Sequence, residues 1–182
     1  ADLGGIVGVG DEHQGSRRHH RVRAVDTARA GRDRLAAHRA VVDVDLDLGL
    51  LRVVQIATAQ DVGRAINPLQ VLGQIEGGIA QGVGLAVMEE IVLDGGRIAN
   101  ASFTDYLIPT ALDMPDVVTE IIEQPEPGAP FGAKGVGEPP VASPTPAIAA
   151  AVRRATGLEL PRVPIRPQDI ALERPAARTP DN

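Results

Sequence analysis

The sequence predicts an α+β fold in which β-hairpins pack on one long, glycine-rich helix and a shorter C-terminal helix. Three observations carry that prediction. Val42, Val44, Leu46 and Leu48 alternate with Asp43, Asp45 and Asp47, the period-two pattern of a half-buried strand. Pro68, suited to a first helical turn, opens a long helix over roughly Leu69 to Glu90. Thr145 and Pro146 open a second helix, about Pro146 to Thr156, which Gly157 stops.

Residues 1 to about 36 read unlike the rest. Gly15-Ser16-Arg17-Arg18-His19-His20-Arg21 is polar and aperiodic, and no strand or amphipathic helix is evident before Leu35. The segment is expected to be disordered or unrelated to the remainder of the chain. An Arg/His/Ala/Gly-rich run in a GC-rich gene is also what reading out of frame produces. A basic arm for nucleic acid is the weaker reading, because lysine and aromatics are missing from it.

From Ala40 the order is legible. After the alternating strand, Gly49 marks a turn and Leu51 to Thr58 reads as the second strand of a hairpin. The Asp ladder is expected to be a solvated strand face, since it lacks the Gly and terminal Glu of a calcium loop. Asp61 to Pro68 is a loop. The long helix holds Gly73, Gly77, Gly78, Gly82 and Gly84, each costing about 1 kcal/mol against Ala. So many glycines point to close approach of another backbone or a cofactor. Gln74 and Gln81, two turns apart, share one helix face. Asp94-Gly95-Gly96 turns a hairpin between Ile91–Leu93 and Arg97-Ile98. Asp105 to Thr110 is a mixed segment, Val117 to Glu123 a strand, and Gln124 to Pro130 a Pro/Gly loop. Pro161, Pro164 and Pro167 make the tail an extended arm.

Composition bounds the function. The 182 residues are 43% hydrophobic but only 2% aromatic, so the core is built from Val, Ile, Leu and Ala. With no cysteine there are no disulfides, thiolate metal sites or cysteine nucleophiles, which fits a cytoplasmic protein. No run of 18 apolar residues suits a membrane span, and no secretory signal is visible. Residues 41–182 carry ten basic and nineteen acidic side chains, which gives no reason to expect nucleic-acid binding.

The segment Phe131-Gly132-Ala133-Lys134-Gly135-Val136-Gly137-Glu138-Pro139-Pro140 concentrates the chemistry. Lys134 is the only lysine of the chain, four residues from a carboxylate. The three glycines admit close approach of a bound group. Pro139 and Pro140 stiffen the chain after Glu138 and push Glu138 toward an extended backbone. A carboxylate on a stiff support beside a permissive loop is what a positioned general base requires. An ordinary surface loop with a solvated glutamate fits these residues equally well.

Four segments, in order, resemble the molybdenum-binding subunit of the xanthine dehydrogenase/aldehyde oxidase family: Asp61–Pro68, Gly73–Gly82, Asp105–Thr110 and Gly132–Pro140. The resemblance spans about Ala36 to Leu172 and looks like the C-terminal part of a larger molybdopterin-binding domain. It implies a division into an atypical segment 1–36, a cofactor-domain part 37–172 and a tail 173–182.

By resemblance, Glu138 matches the catalytic glutamate, which takes a proton from the molybdenum-bound hydroxyl before that oxygen attacks an electron-poor carbon. Gln74 matches a glutamine that hydrogen-bonds the cofactor; Gly77 and Gly78 would admit it, and Lys134 and Gly135 belong to the loop beside it. The resemblance implies molybdopterin, in the plain or the cytosine dinucleotide form, with 2Fe-2S and FAD centres on partner subunits or domains and no metal ligand from this chain. It also implies an oligomer acting on a small molecule. Pro139-Pro140 looks more like the xanthine dehydrogenase branch than the carbon monoxide dehydrogenase branch. A purine such as xanthine is therefore the expected substrate, with an aldehyde or another N-heterocycle as the alternative. An inactive truncated module is the alternative of another class. The chain alone is expected to fold poorly, lacking a full core, and not to turn over.

Overall fold

The computed structural model describes residues 8–9, 21–30 and 36–172. The alternation that starts at Ala36 makes β3 (Ala36–Asp45), whose Ala36, His38, Ala40, Val42 and Val44 all point inward. A turn leads into β4 (Leu50–Asp61), antiparallel to β3. The pairing slips between Val41 and Val42: Val42 faces Val53 while Val41 faces Gln55, so Val54 is the extra residue of a bulge. The bulge resets the alternation, and Val53 and Ile56 both reach the core although they are three apart.

The sheet continues on both sides. β2 (Arg21–Ala30) pairs antiparallel with β3 along its whole length, and β1 (Gly8–Val9) pairs with β2. A ten-residue strand thus lies inside the segment expected to be unstructured. Its arginines mask its Val and Thr content in the sequence, and the pairing with β3 makes it a strand. The basic run before Arg21 and the tail 173–182 lie outside the described residues. On the other side β7 (Asp116–Ile122) pairs with β4 in parallel, giving the order β1-β2-β3-β4-β7. A parallel neighbour needs a crossover, and the long helix α1 (Pro68–Val87) supplies it. This βαβ connection adds a parallel strand to the β3–β4 hairpin that the sequence predicts.

The side-chain amide oxygen of Asn67 caps α1 by accepting from Gln70 N at 3.2 Å. After α1, Gly95-Gly96 turns the short hairpin β5 (Leu93–Asp94) and β6 (Arg97–Ile98). Next come the one-turn helix α2 (Pro139–Ala142) and α3 (Pro144–Thr156). Thr145 does not cap α3: it lies inside the first turn, and its hydroxyl donates to Gly82 O of α1 at 2.8 Å. Ile75, Ile79 and Val83 of α1 and Ile148, Ala151 and Val152 of α3 meet Ala40, Val42, Val44 and Ile56 of the sheet in one core. These residues form one continuous cluster. Burying side chains of this size stabilises by about 1.5–3 kcal/mol each.

Two further expectations are corrected. The tail is not an extended arm: Ile165 and Ile170 are buried, Ile165 N donates to Ala86 O at 2.7 Å, and residues Pro167–Ala171 form a helix, α4. Nor is the Asp ladder wholly solvated. Asp45 is buried at the end of β3, and its Oδ1 accepts from the amides of Asp47 and Leu48 at 3.0 Å each, holding the β3–β4 turn. Among the described residues no helix is long and apolar enough to cross a membrane.

Candidate functional site: the Glu138 loop and the open face of α1

The loop carrying Glu138 is tied down at its start by an ion pair. Lys134 Nζ lies 2.5 Å from Asp61 Oδ2, with the two side chains only 9% and 3% exposed. Burial raises the Asp61 carboxyl, but the hydrogen bond from Lys134, the amides of Gly63 and Gln124 and the ammonium's charge outweigh it. The net result is a carboxyl held below its usual range. The surrounding backbone is closely knit: Lys134 N donates to Val62 O at 2.9 Å and Arg64 N to Gly132 O at 2.9 Å. Gly63 is required at this crossing. Its φ is +65°, and a Cβ there would sit 2.3 Å from Gly132 O. Lys134, the expected cofactor neighbour, is therefore turned inward onto Asp61. The sequence offered Asp61 in the motif Asp61-Val62-Gly63, but no spacing rule links two residues 73 positions apart.

Glu138 does not take the extended backbone expected before proline. Its φ and ψ are −88° and −36°, in the right-handed helical region, because it opens α2 and its carbonyl accepts from Val141 N at 3.0 Å. Its side chain is exposed. The two prolines still stiffen the support, and Pro140 is buried against α1. The helix glycines explain how. A Cβ on Gly78 would lie 2.6 Å from Pro140 Cβ, and one on Gly82 would lie 2.7 Å from Pro144 Cβ. Gly78, expected to admit the cofactor, instead admits α2.

Gly73 and Gly77 differ: a Cβ at either would meet nothing within 4 Å. They share the exposed face of α1 with Gln74 and Gln81. Gln74 reaches the loop, since a Cβ on Gly137 would meet Gln74 Oε1 at 4.0 Å. Gln74 therefore adjoins the loop at Gly137, with the exposed Gly77 near it on α1 and the exposed Gly135 and Glu138 on the same loop. An exposed carboxylate beside an amide and bare helix backbone suits proton abstraction from a group laid against α1. Among the described residues no cluster of His, Asp and Glu is arranged to hold a metal ion directly.

Beneath the loop runs a buried polar chain that no sequence motif announces. His38 is fully buried, with Nδ1 2.7 Å from Ser143 Oγ and Nε2 3.3 Å from Gln60 Nε2. Gln60 Nε2 also donates to Thr58 Oγ1 at 2.7 Å, and Thr58 Oγ1 donates to Ala37 O at 3.1 Å. Desolvation by burial lowers the His38 pKa to about 4, so the ring is neutral at pH 7. One signal was available: extending the strand's alternation back to Ala36 puts His38 on the inward face.

Comparison with known proteins places the chain in a family. The molybdopterin cofactor-binding domain family matches residues 17–115, a span that includes β2. The chain is 36% identical over 131 residues to the putative xanthine dehydrogenase molybdenum-binding subunit of Escherichia coli (strain K12), covering 70% of this chain and 17% of that protein. It is 40% identical over 135 residues to the gamma subunit of the 6-hydroxypseudooxynicotine dehydrogenase complex of Paenarthrobacter nicotinovorans, covering 71% of this chain and 17% of that one. The crystal structure of quinoline 2-oxidoreductase from Pseudomonas putida 86 superposes with a TM-score of 0.73 at 38% identity, over 78% of this chain and 19% of its own. The chain thus spans about a fifth or less of the length of the relatives it matches. With more than half of its residues matched, this chain belongs to the molybdopterin cofactor-binding domain family.

Proposed function

We propose that this chain is the part of a molybdenum hydroxylase that contributes the proton-accepting carboxylate, Glu138, to oxidation of a purine such as xanthine. The overall reaction balances as substrate C–H plus water giving C–OH, two protons and two electrons. The bound molybdopterin would supply the redox chemistry and receive the electron pair. Iron–sulfur and flavin groups on partner chains or domains would carry the electrons onward.

The observation that carries this reading is that Gln74 meets the Glu138 loop at Gly137, with exposed Gly77 beside Gln74 on α1. Its donor set fits the cofactor. Bare backbone at Gly73 and Gly77 leaves room for a flat ring system against α1, and Gln74 offers an amide to a polar edge of it. The exposed Glu138 takes the proton from the attacking oxygen nucleophile, and its backbone, fixed by α2, keeps the carboxylate aimed. Lys134 serves the loop through Asp61 rather than binding the cofactor.

The purine assignment is supported by the name of the Escherichia coli relative and by Pro139-Pro140. The quinoline enzyme favours a second reading, another N-heterocycle attacked beside its ring nitrogen. Exposed Ile66, Leu69 and Phe103, at 65%, 79% and 83%, support a surface that further sequence would cover. The test is molybdenum content by mass spectrometry, with xanthine and benzaldehyde turnover. It is run on this chain and on the chain joined to its genomic flanking sequence. Metal and xanthine oxidation in the extended protein only is the expected result. Metal in neither protein overturns the reading.

A further inference from the structure

We propose that His38, acting through Ser143, is a positioning residue for the Glu138 segment, which the Lys134–Asp61 pair holds from the other end. Its catalytic meaning rests on the reading of Glu138 as the base; the geometry itself does not.

Glu138 sits between two buried polar anchors. Four residues upstream, Lys134 is bound to Asp61 at the end of β4. Five residues downstream, Ser143 is bound to His38 on β3. Both anchors are fixed on the same β-hairpin, so the loop between them is referred to one rigid element. The proline contacts with Gly78 and Gly82 set its height above α1.

The proton directions on the downstream anchor are determined. Thr58 Oγ1 has one hydrogen and gives it to Ala37 O, so it accepts from Gln60 Nε2. That fixes the Gln60 amide with its nitrogen toward His38, so His38 Nε2 accepts. The ring hydrogen is then on Nδ1 and is donated to Ser143 Oγ. Apolar side chains would fill this space without four polar atoms to satisfy. What the polar chain adds is direction, running from the β3 backbone to a single oxygen at the α2–α3 junction. Ser143 is 1% exposed, so water does not compete for that oxygen.

Two amide variants separate positioning from packing. The Asn amide nitrogen of His38→Asn replaces Nδ1 and keeps the donor to Ser143. The Gln amide of His38→Gln reaches toward Nε2 and loses that donor, although it fills more volume. Hydrogen–deuterium exchange is measured on the full cofactor-free chain, so the outcome does not depend on what Glu138 does. His38→Gln and Ser143→Ala are expected to speed exchange of the Val141 amide, which is bonded to Glu138 O, by roughly five- to tenfold, the worth of one lost hydrogen bond. His38→Asn is expected to stay within about threefold, with the Ile75–Val83 amides unchanged in all three. His38→Asn exchanging as fast as His38→Gln overturns the proposal, because volume then decides. So does Ser143→Ala with an unchanged loop, or Ser143→Ala unfolding the chain, since the network would then be a general stability element.

Discussion

Acidification should remove stability through His38, by an amount that follows from its burial. In the unfolded chain the imidazole titrates at its ordinary 6.5; in the fold, desolvation lowers it to about 4. A depressed pKa means that the unfolded chain binds the extra proton between these two values. The contribution is therefore fully present above pH 6.5 and is lost progressively as pH falls to 4. Linkage gives losses of about 1, 2 and 3 kcal/mol at pH 6, 5 and 4. Against a typical total of about 5–15 kcal/mol, that is a large fraction. The assay is urea unfolding followed by circular dichroism, since the chain has no Trp to report. The chain has three other histidines, so the wild type is compared with His38→Asn at each pH. The difference between the two proteins should shrink by about 3 kcal/mol between pH 7 and pH 4. A difference constant to within about 0.5 kcal/mol would refute the claim that the ring is buried and neutral.

The same unfolding assay checks three further outcomes. Lys134→Met leaves the Asp61 carboxylate buried without its cation and should cost about 3–5 kcal/mol; a loss below about 1 would mean that the pair is solvated. Gly63→Ala forces a side chain into a left-handed backbone position against Gly132 O and should cost at least about 2 kcal/mol. Ile79→Ala empties a fully buried position between α1 and the sheet and should cost about 2–5 kcal/mol, whereas Leu69→Ala, 79% exposed, should change stability by under about 0.5.

Local rules read most of this fold. Val42 and Val44 announce β3 by their alternation, Pro68 opens α1, Gly95-Gly96 turns a hairpin and Gly157 stops α3. What escapes them depends on distance along the chain. The parallel β4–β7 pairing is a property of the crossover, not of either strand. The bulge at Val54 hides the period of β4 from a pattern count. Arg21–Ala30 is a strand because β3 offers it a partner; alone, its charge reads as disorder. At the site, Glu138, Gln74 and Gly77 stand out by residue type and motif. Gly78 and Lys134 stand out equally, yet Gly78 faces Pro140 and Lys134 faces Asp61. A glycine that admits a neighbouring helix and one that admits a ligand carry the same letter, and only the packing distinguishes them. His38 and Ser143, 105 residues apart, are brought together only by the fold.

On the function proposed, Glu138 moves a proton and does not hold the cofactor. Glu138→Gln, made in the chain joined to its genomic flanking sequence and purified as the assembled enzyme, separates the two. Molybdenum content and kcat are measured on the same sample. The account predicts metal loading equal to wild type to within about twofold and kcat lower by about 10²- to 10⁴-fold, the usual contribution of a general base. Full loading with turnover within about threefold of wild type would contradict it, and the base would have to be sought outside these residues.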